Sequence, residues 1–230
     1  MLEGGLPLKV ALFTAASETF SRKNTNASIA ETIERFRPIV PRALAEGIPL
    51  RFYVSCAVAC PFEGPIAPDA VRRVVDRLLG LVERPEHLGL IDIDLGDTIG
   101  VATEADIEAL LGAFDERTVG AMTLHLHDTF RRAADCVRVA LDMGVRSFDG
   151  SVAGLGGCPY ASTPGKRAPG NISTETLVAT VWEEGYDTGV DEARLAEVGA
   201  MAREMVARSR GGAAPLAGPP SPPGGEGGQA

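Results

Sequence analysis

The amino-acid sequence predicts an α/β fold built around a parallel β-sheet. Apolar runs of β-strand type recur along the chain, and a stretch with helical periodicity follows each of them. The segments between successive runs are long enough for the helical crossovers that parallel strands require. The predicted strands begin near Leu8, Ile48, Leu88, Val119 and Val145.

The first predicted helix begins at a capping box formed by Ser28 and Glu31 and runs toward Gly47. Pro38 and Pro41 lie inside this stretch, and proline lacks the backbone N–H that helical hydrogen bonding needs. We therefore expect the helix to be kinked or interrupted there.

The second predicted helix starts at Pro68, a residue that suits the first turn because its φ is already helical. Thr103 and Asp106 have the spacing of a cap for the third helix. The remaining predicted helices are Thr129 to Met143, which ends at Gly144, then Thr174 to Glu184, and Glu192 to Arg208.

Residues 209–230 differ from the rest of the chain, because Gly, Pro, Ala and Ser dominate them. This composition offers too few apolar side chains for a packed core, so we predict a disordered tail. The folded domain is then expected to span residues 1–208.

Composition restricts the class of protein. A net charge of −9 over 230 residues, with no clustered basic face, argues against a nucleic-acid partner. The sequence contains no apolar run of the ~20 residues that span a bilayer, and the first residues do not resemble a signal peptide. Four cysteines in a chain of this size favour a reduced state. We therefore expect a cytoplasmic protein without a membrane partner.

The strongest chemical signal is the pair His125 and His127 at the end of a predicted strand. Side chains alternate between the two faces of a strand, so both imidazoles should point the same way. Two neighbouring imidazoles can bind one divalent cation. The alternative is a pair of structural histidines that cap the core.

A glycine-rich loop follows, and it carries Cys158 directly after Gly156 and Gly157. Glycines allow a backbone to adopt unusual conformations and to approach a ligand closely, so these two are candidate substrate-binding residues. The thiol of Cys158 is then a candidate general acid, general base or nucleophile. The alternative is an incidental cysteine in a flexible loop.

Four further polar residues lie near predicted strand ends or helix starts. Asn171 is a candidate third metal ligand or a helix cap, and Glu175 is either a site residue or a favourable charge in a first helical turn. Asp97 either orients a histidine or a substrate hydroxyl, or caps a helix or turn. Ser55, at the end of the second strand, is a candidate substrate contact.

Taken together, these segments resemble the hydroxymethylglutaryl-CoA lyases, which belong to the DRE-type TIM-barrel metallolyases. The resemblance covers about residues 8–208. It rests on the segments AASETFSRKN (15–24), YVSCAVACPFEG (53–64), LGDTIGV (95–101), HLHDT (125–129), SVAGLGGCPYA (151–161) and GN (170–171).

The resemblance implies a (β/α)8 barrel that cleaves 3-hydroxy-3-methylglutaryl-CoA to acetoacetate and acetyl-CoA, as in leucine degradation. It implies Mg²⁺ or Mn²⁺ bound by His125, His127 and Asn171, and a catalytic role for Cys158. Asp97, Glu175 and His125 correspond to further functional residues of the family. An acyl-CoA thioester is the implied substrate.

The sequence departs from this family in two respects. Only five strands can be placed where a barrel needs eight, and the Arg-Asp-Gly motif of the family's first strand is absent. We therefore expect an incomplete barrel with about the last five strand–helix units, impaired activity, and association into a homo-oligomer through exposed edges. The alternatives are a related Claisen-type synthase or lyase, and an inactive fragment that binds a metal or an acyl-CoA.

Overall fold

The computed structural model describes residues 8–157 and 170–211, and side chains as far as residue 208. Its strands are β1 (Val10–Ala15), β2 (Leu50–Ser55), β3 (Ala59–Cys60), β4 (Gly64–Pro65), β5 (Ile91–Asp97), β6 (Met122–Leu126) and β7 (Ser147–Asp149). Its α-helices are α1 (Glu18–Thr25), α2 (Ile29–Phe36), α3 (Val40–Ala45), α4 (Pro68–Leu79), α5 (Glu104–Leu111), α6 (Glu116–Gly120), α7 (Ala133–Asp142), α8 (Thr174–Glu183) and α9 (Glu192–Gly211). Short 3-10 turns span Pro85–Leu90 and Val152–Gly154.

A parallel sheet in the order β1-β2-β5-β6-β7 forms the centre of the fold. Each strand pairs with the next long strand along the chain, and helices make the crossovers. The register aligns Gly96 with His125 and His125 with Asp149. These are five units of a (β/α)8 barrel, and the described residues leave the barrel open, so the predicted fold class is confirmed.

Helices cover one face of the sheet and leave the other face open in the described part of the chain. Leu50 and Phe52, alternate residues of β2, are fully buried in the main core. Arg51 and Tyr53 point to the opposite face and are only half-buried. Phe13 is 51% exposed there and stacks on Tyr53 with 4.5 Å between ring centroids.

The capping signals in the sequence are confirmed. Ser28 and Glu31 form both hydrogen bonds of a capping box at α2, and Thr103 and Asp106 do the same at α5. The proline-containing stretch is interrupted as predicted, because α2 ends at Phe36 and α3 starts at Val40.

Three predicted boundaries are wrong. The third strand, predicted near Leu88, begins at Ile91, because the 3-10 turn Pro85–Leu90 takes up the start of the apolar run. The fourth strand begins at Met122 rather than Val119, because Asp115 caps the short helix α6 by accepting a hydrogen bond from the Thr118 N–H (2.9 Å). The helix predicted from Thr129 begins only at Ala133. Arg131, with a φ of 58°, is incompatible with a continuous helix over this stretch.

Two features of the fold are absent from the sequence prediction. The helix α1, which Ser17 caps, was not among the predicted helices. The hairpin β3–β4 lies in the loop after β2. Helix α9 continues to Gly211, three residues into the predicted tail, and residues 212–230 lie outside the described residues.

Candidate active site

The site lies where the end of β6 meets the segment that enters α8. The N–H of Ile172 donates to the carbonyl of Leu126 (2.9 Å), and the N–H of Asp128 donates to the carbonyl of Gly170 (3.1 Å). His127 and Asn171 face each other in an antiparallel bridge between these two bonds. The backbone therefore brings together two residues that are 44 positions apart in the sequence.

The orientation of His127 is fixed by a backbone carbonyl. Its Nδ1 lies 2.8 Å from the carbonyl oxygen of Asp97. A carbonyl oxygen can only accept, so Nδ1 donates and Nε2 keeps its lone pair. Burial also lowers the pKa of His127, which favours the neutral imidazole that a metal requires.

His125 lies beside His127 on the same side of β6, as strand alternation predicts. The two ring centroids are 5.3 Å apart, with the rings edge to face. The Nδ1 of His125 lies 3.4 Å from Oδ2 of Asp149, the residue that it pairs with on β7. About a third of the His125 side chain is exposed, so a ligand can reach this imidazole.

Asn171 presents a buried oxygen without a partner. Its Nδ2 donates to the carbonyl of Leu155 (2.9 Å), and its Oδ1 has no hydrogen-bond partner among the described residues. Because leaving a buried oxygen unpaired is costly, this atom is suited to accept a metal ion or a ligand proton. Ser173 is the N-cap residue of α8, so the alternative role of Asn171 as that cap is excluded.

The glycine loop is shaped around Asn171. Gly156 has a φ of 91°, and a Cβ atom there would lie 2.9 Å from Nδ2 of Asn171. No larger residue could occupy this position without moving the amide. The structure thus brings Gly156 next to Asn171, while Cys158 lies outside the described residues.

Two nitrogen donors and one oxygen donor therefore have the character of a divalent-metal site. His127 and Asn171 are adjacent, and His125 is the neighbour of His127. The unpaired Oδ1 of Asn171 is the observation that a bound cation would explain. Imidazole nitrogens and an amide oxygen are donor types that a divalent cation accepts.

A second group of potential ligands lies deeper on the open sheet face. Asp94, His125 and Asp149 each offer an atom within 4.8 Å of the others. However, the Arg51 guanidinium already lies 3.2 Å from Asp94 and 2.9 Å from Asp149. A metal ion would have to compete with this guanidinium for the oxygens of Asp94 and Asp149.

The carboxylates of this group have opposite protonation tendencies. Burial first, and the neighbouring Asp149 second, raise the pKa of Asp94 to about 9. Burial alone would also raise the pKa of Asp149, but hydrogen bonds from His125 and Arg51 outweigh it and hold that pKa well below its usual range. At neutral pH Asp149 is therefore ionised, whereas Asp94 keeps its proton.

Asp97 acts on the site through the loop that follows β5. Its carboxylate accepts hydrogen bonds from the backbone N–H groups of Val101 (3.2 Å) and Ala102 (2.9 Å). Burial raises its pKa against the effect of these bonds. The turn-cap interpretation of the side chain is thus supported, while the backbone carbonyl orients His127.

Glu175 lies in the first turn of α8 and holds the loop after β7. Its Oε2 accepts from the N–H of Ala153 (2.9 Å), and its Oε1 lies 3.2 Å from the Arg203 guanidinium of α9. Ser55 ends β2, half-buried, and its N–H and C=O belong to the strand end that pairs with β1. Neither side chain is placed beside the imidazoles by a described contact.

The remaining cysteines are buried thiols. Cys56 is fully buried and Cys60 is 2% exposed, and Cys60 Sγ accepts a hydrogen bond from Ser17 (3.0 Å). Cys136 lies in the core of α7. Burial keeps these three thiols away from reagents in solvent.

Sequence reasoning missed the charged residues on the open sheet face. Arg51, Asp92, Asp94 and Asp149 lie inside strands, and they were not singled out. Their signal was available, because alternate positions of a predicted buried strand share one face. Charged residues at such positions are expensive to bury unless they pair with one another.

The chain is similar in sequence to known proteins. It matches the HMGL-like protein family over residues 7–202. The protein from Danio rerio named 3-hydroxy-3-methylglutaryl-CoA lyase, cytoplasmic, is 47% identical to it over 192 residues. That match covers 83% of this chain and 54% of the relative, so the chain spans about half the length of this relative. Other relatives carry mitochondrial names.

Solved structures have the same arrangement. The HMG-CoA lyase from Brucella melitensis gives a TM-score of 0.76 at 41% identity, over 86% of this chain and 66% of that one. The HMG-CoA lyase from Acinetobacter baumannii, solved with coenzyme A and 3-methylmalate, gives 0.74 at 28% identity, over 93% and 68% of the two chains. Among the described helices of our chain, none combines the length and apolar character needed to cross a membrane.

Proposed function

The chain belongs to the HMGL-like family, and from this premise we propose that it carries the metal-binding edge of a carbon–carbon lyase. The proposed reaction cleaves 3-hydroxy-3-methylglutaryl-CoA to acetoacetate and acetyl-CoA. The names of the relatives at 42 to 47% identity support this assignment. Turnover by this chain is expected to be weak, because the described strands leave the barrel open.

One observation carries the proposal. The Oδ1 atom of Asn171 is buried, has no hydrogen-bond partner in the described part of the chain, and lies in the segment bridged to His127. We propose that His125, His127 and Asn171 hold a Mg²⁺ or Mn²⁺ ion. When bound there, such an ion would supply Lewis-acid chemistry to the reacting oxygens.

The other steps of the proposed cleavage are assigned to side chains of this chain. A base removes the proton of the tertiary hydroxyl, the adjacent carbon–carbon bond breaks, and the acetyl-CoA enolate that leaves takes up a proton. We assign His125 to the side of the reacting hydroxyl and Cys158 to the delivery or relay of the enolate proton. Asp97 and Glu175 hold the two loops, through the bonds to Ala102 and Ala153.

Substrate, location and assembly follow the same proposal. The glycine loop at Gly156 and Gly157, together with Ser55 at the end of β2, is proposed to receive the acyl-CoA thioester. The complex of a related structure with coenzyme A supports this class of substrate. We further propose a cytoplasmic enzyme of leucine-degradation type that assembles into a homo-oligomer.

The test is release of acetoacetate from 3-hydroxy-3-methylglutaryl-CoA in the presence of Mg²⁺ or Mn²⁺. We expect slow, metal-dependent release that is abolished by His127→Ala and by Cys158→Ala. The matched control is His87→Ala, which removes the third histidine of the chain, in the 3-10 turn Pro85–Leu90.

Two other results would replace this function. Condensation of acetyl-CoA with a 2-oxo acid, without acetoacetate release, would indicate a Claisen-type synthase. Saturable Mn²⁺ binding that is lost in His127→Ala, without turnover on either substrate, would indicate a metal-binding barrel fragment.

A further inference from the structure

The open face of the sheet contains one buried guanidinium held by three carboxylates. The Arg51 side chain is 15% exposed, and its Nε lies 2.6 Å from Oδ2 of Asp92. Its Nη1 lies 2.9 Å from both oxygens of Asp149 and 3.2 Å from Oδ2 of Asp94. Its Nη2 lies 3.3 Å from the hydroxyl of Thr123. Strands β2, β5, β6 and β7 each contribute to this one group.

Asp149 connects this guanidinium to the candidate metal site. Asp149 is the β7 partner of His125, so the two side chains share a face of the sheet. Its Oδ2 contacts both Nη1 of Arg51 (2.9 Å) and Nδ1 of His125 (3.4 Å). An ionised carboxylate can only accept hydrogen bonds, so it selects the His125 tautomer with hydrogen on Nδ1 and a lone pair on Nε2.

The two imidazoles therefore have different kinds of orienting partner. His127 donates to the neutral carbonyl of Asp97, which belongs to the backbone. His125 donates to a charged side chain whose own position depends on Arg51. A carboxylate behind a ligating imidazole fixes its ring and makes it a stronger ligand.

We propose that Asp149, held in place by Arg51, is a positioning residue that sets the tautomer of His125 and thereby the metal affinity of the site. This inference rests on the proposed function for the metal ligand, but the tautomer can be measured without a metal. The closely spaced atoms of Asp94, His125 and Asp149 are then an internal ion-pair network in which Arg51 is the cation.

The first experiment is nitrogen-15 NMR of the histidine rings in the metal-free full chain, above pH 8. The chain has only three histidines, so each ring can be assigned. In the wild type, we expect hydrogen on Nδ1 of both His125 and His127. In Asp149→Asn, His125 should shift toward hydrogen on Nε2 while His127, an internal control, stays unchanged.

Asp92→Asn is the matched control variant. It removes the same charge and an Arg51 ion pair of 2.6 Å, against 2.9 Å for Asp149, but Asp92 has no described contact with His125. The proposal is wrong if Asp149→Asn leaves the His125 tautomer unchanged, or if Asp92→Asn shifts it equally. Arg51→Lys keeps the positive charge without the planar fork, and it replaces Asp149→Asn as the deciding variant if that protein fails to fold. It should shift His125 in the same direction.

The second experiment measures the Mn²⁺ dissociation constant. Loss of a carboxylate behind a ligating histidine typically weakens metal binding about 10- to 100-fold, and we expect this range for Asp149→Asn. Asp92→Asn and Asp94→Asn should bind as the wild type does. A large loss in Asp94→Asn would instead make the carboxylates direct ligands and overturn the positioning role.

The two experiments separate this inference from the proposed function. Tight Mn²⁺ binding by a folded Asp149→Asn protein would overturn the positioning role and leave the proposed function intact. The expected tautomers without any saturable Mn²⁺ binding by the wild type would remove the proposed metal site. In that case Asp149 would still set the tautomer of His125, but the claim that it also sets the metal affinity would be refuted.

Discussion

Substituting Gly100 with alanine should destabilise the chain, because the added methyl group would collide with the segment from His127 to Thr129 in the candidate site. Gly100 follows β5 with a φ of 66°, and its backbone passes close to the end of the histidine segment. A Cβ atom there would lie 2.8 Å from the carbonyl oxygen of His127 and would collide with the hydroxyl of Thr129. Gly100→Ala therefore forces the loop after β5 away from His127 and Thr129.

The cost of this substitution has two parts. A left-handed backbone conformation costs a non-glycine residue about 1–2 kcal/mol. Overpacking by one methyl group against a fixed backbone costs about 1–3 kcal/mol more. We therefore expect Gly100→Ala to lower the free energy of unfolding by about 2–5 kcal/mol, the sum of the two.

Gly47→Ala isolates the first part. Gly47 has a φ of 67°, nearly the same as Gly100, and a Cβ atom there would have nothing within 4 Å. This control should lose only the conformational cost of about 1–2 kcal/mol. Urea unfolding followed by the fluorescence of Trp182, the single tryptophan, measures both variants. An equal loss of unfolding free energy in the two variants would refute the close approach of Gly100 to His127 and Thr129.

Three further changes test the electrostatics and the local structure. Asp94 has a pKa raised from 3.8 to about 9 in the folded chain, so its contribution to stability is present at low pH and lost as pH rises through this interval. Asp94→Asn should gain stability relative to the wild type as pH rises from 5 to 9, and a constant difference in urea unfolding across this range would contradict the assignment. Burial raises the pKa of Cys136 to about 12, so this thiol should not react in the folded chain. After treatment of the folded chain with iodoacetamide at pH 8, mass spectrometry should find no label on Cys136. Rapid labelling would show that the core around α7 opens. Thr103→Ala removes one half of the capping box at α5 and should cost about 1 kcal/mol in unfolding free energy, whereas an unchanged midpoint of urea unfolding would mean that the cap contributes nothing.

Local signals in the sequence predicted much of the fold, because the residues that produce them act on their own neighbours. The capping boxes at Ser28 and Thr103 need only the next three residues to form. Strand alternation likewise places His125 and His127 on the same side, since His125 lies in β6 and His127 directly follows its last residue, Leu126.

Predictions failed where the outcome depended on competition between neighbouring signals. Val119 and Gly120 continue an apolar run, yet the cap at Asp115 includes them in helix α6. The segment after Thr129 has helical composition, but Asp128 accepts from the N–H of Ala133 and delays the start of α7. Composition alone does not show whether the cap or the neighbouring strand or helix preference prevails at these two positions.

The orienting partners in the candidate site also lay beyond sequence reasoning. Arg51 and Asp149 are 98 residues apart, and only the pairing of β2, β5, β6 and β7 brings them together. The position of Asp97 at a strand end left two interpretations open: a residue that orients a histidine or a substrate hydroxyl, or a cap. Its carboxylate bonds to its own loop, as a turn cap does, and the geometry of that loop could not be predicted from the sequence.

A crystal structure of the chain with Mn²⁺, located by its anomalous scattering, tests the central claim most directly. We predict one ion bound to His125, His127 and the Oδ1 atom of Asn171, with Arg51 still paired to Asp149. An ion among the carboxylates of Asp94 and Asp149, or no ion near the two imidazoles at saturating Mn²⁺, would contradict the proposed metal site.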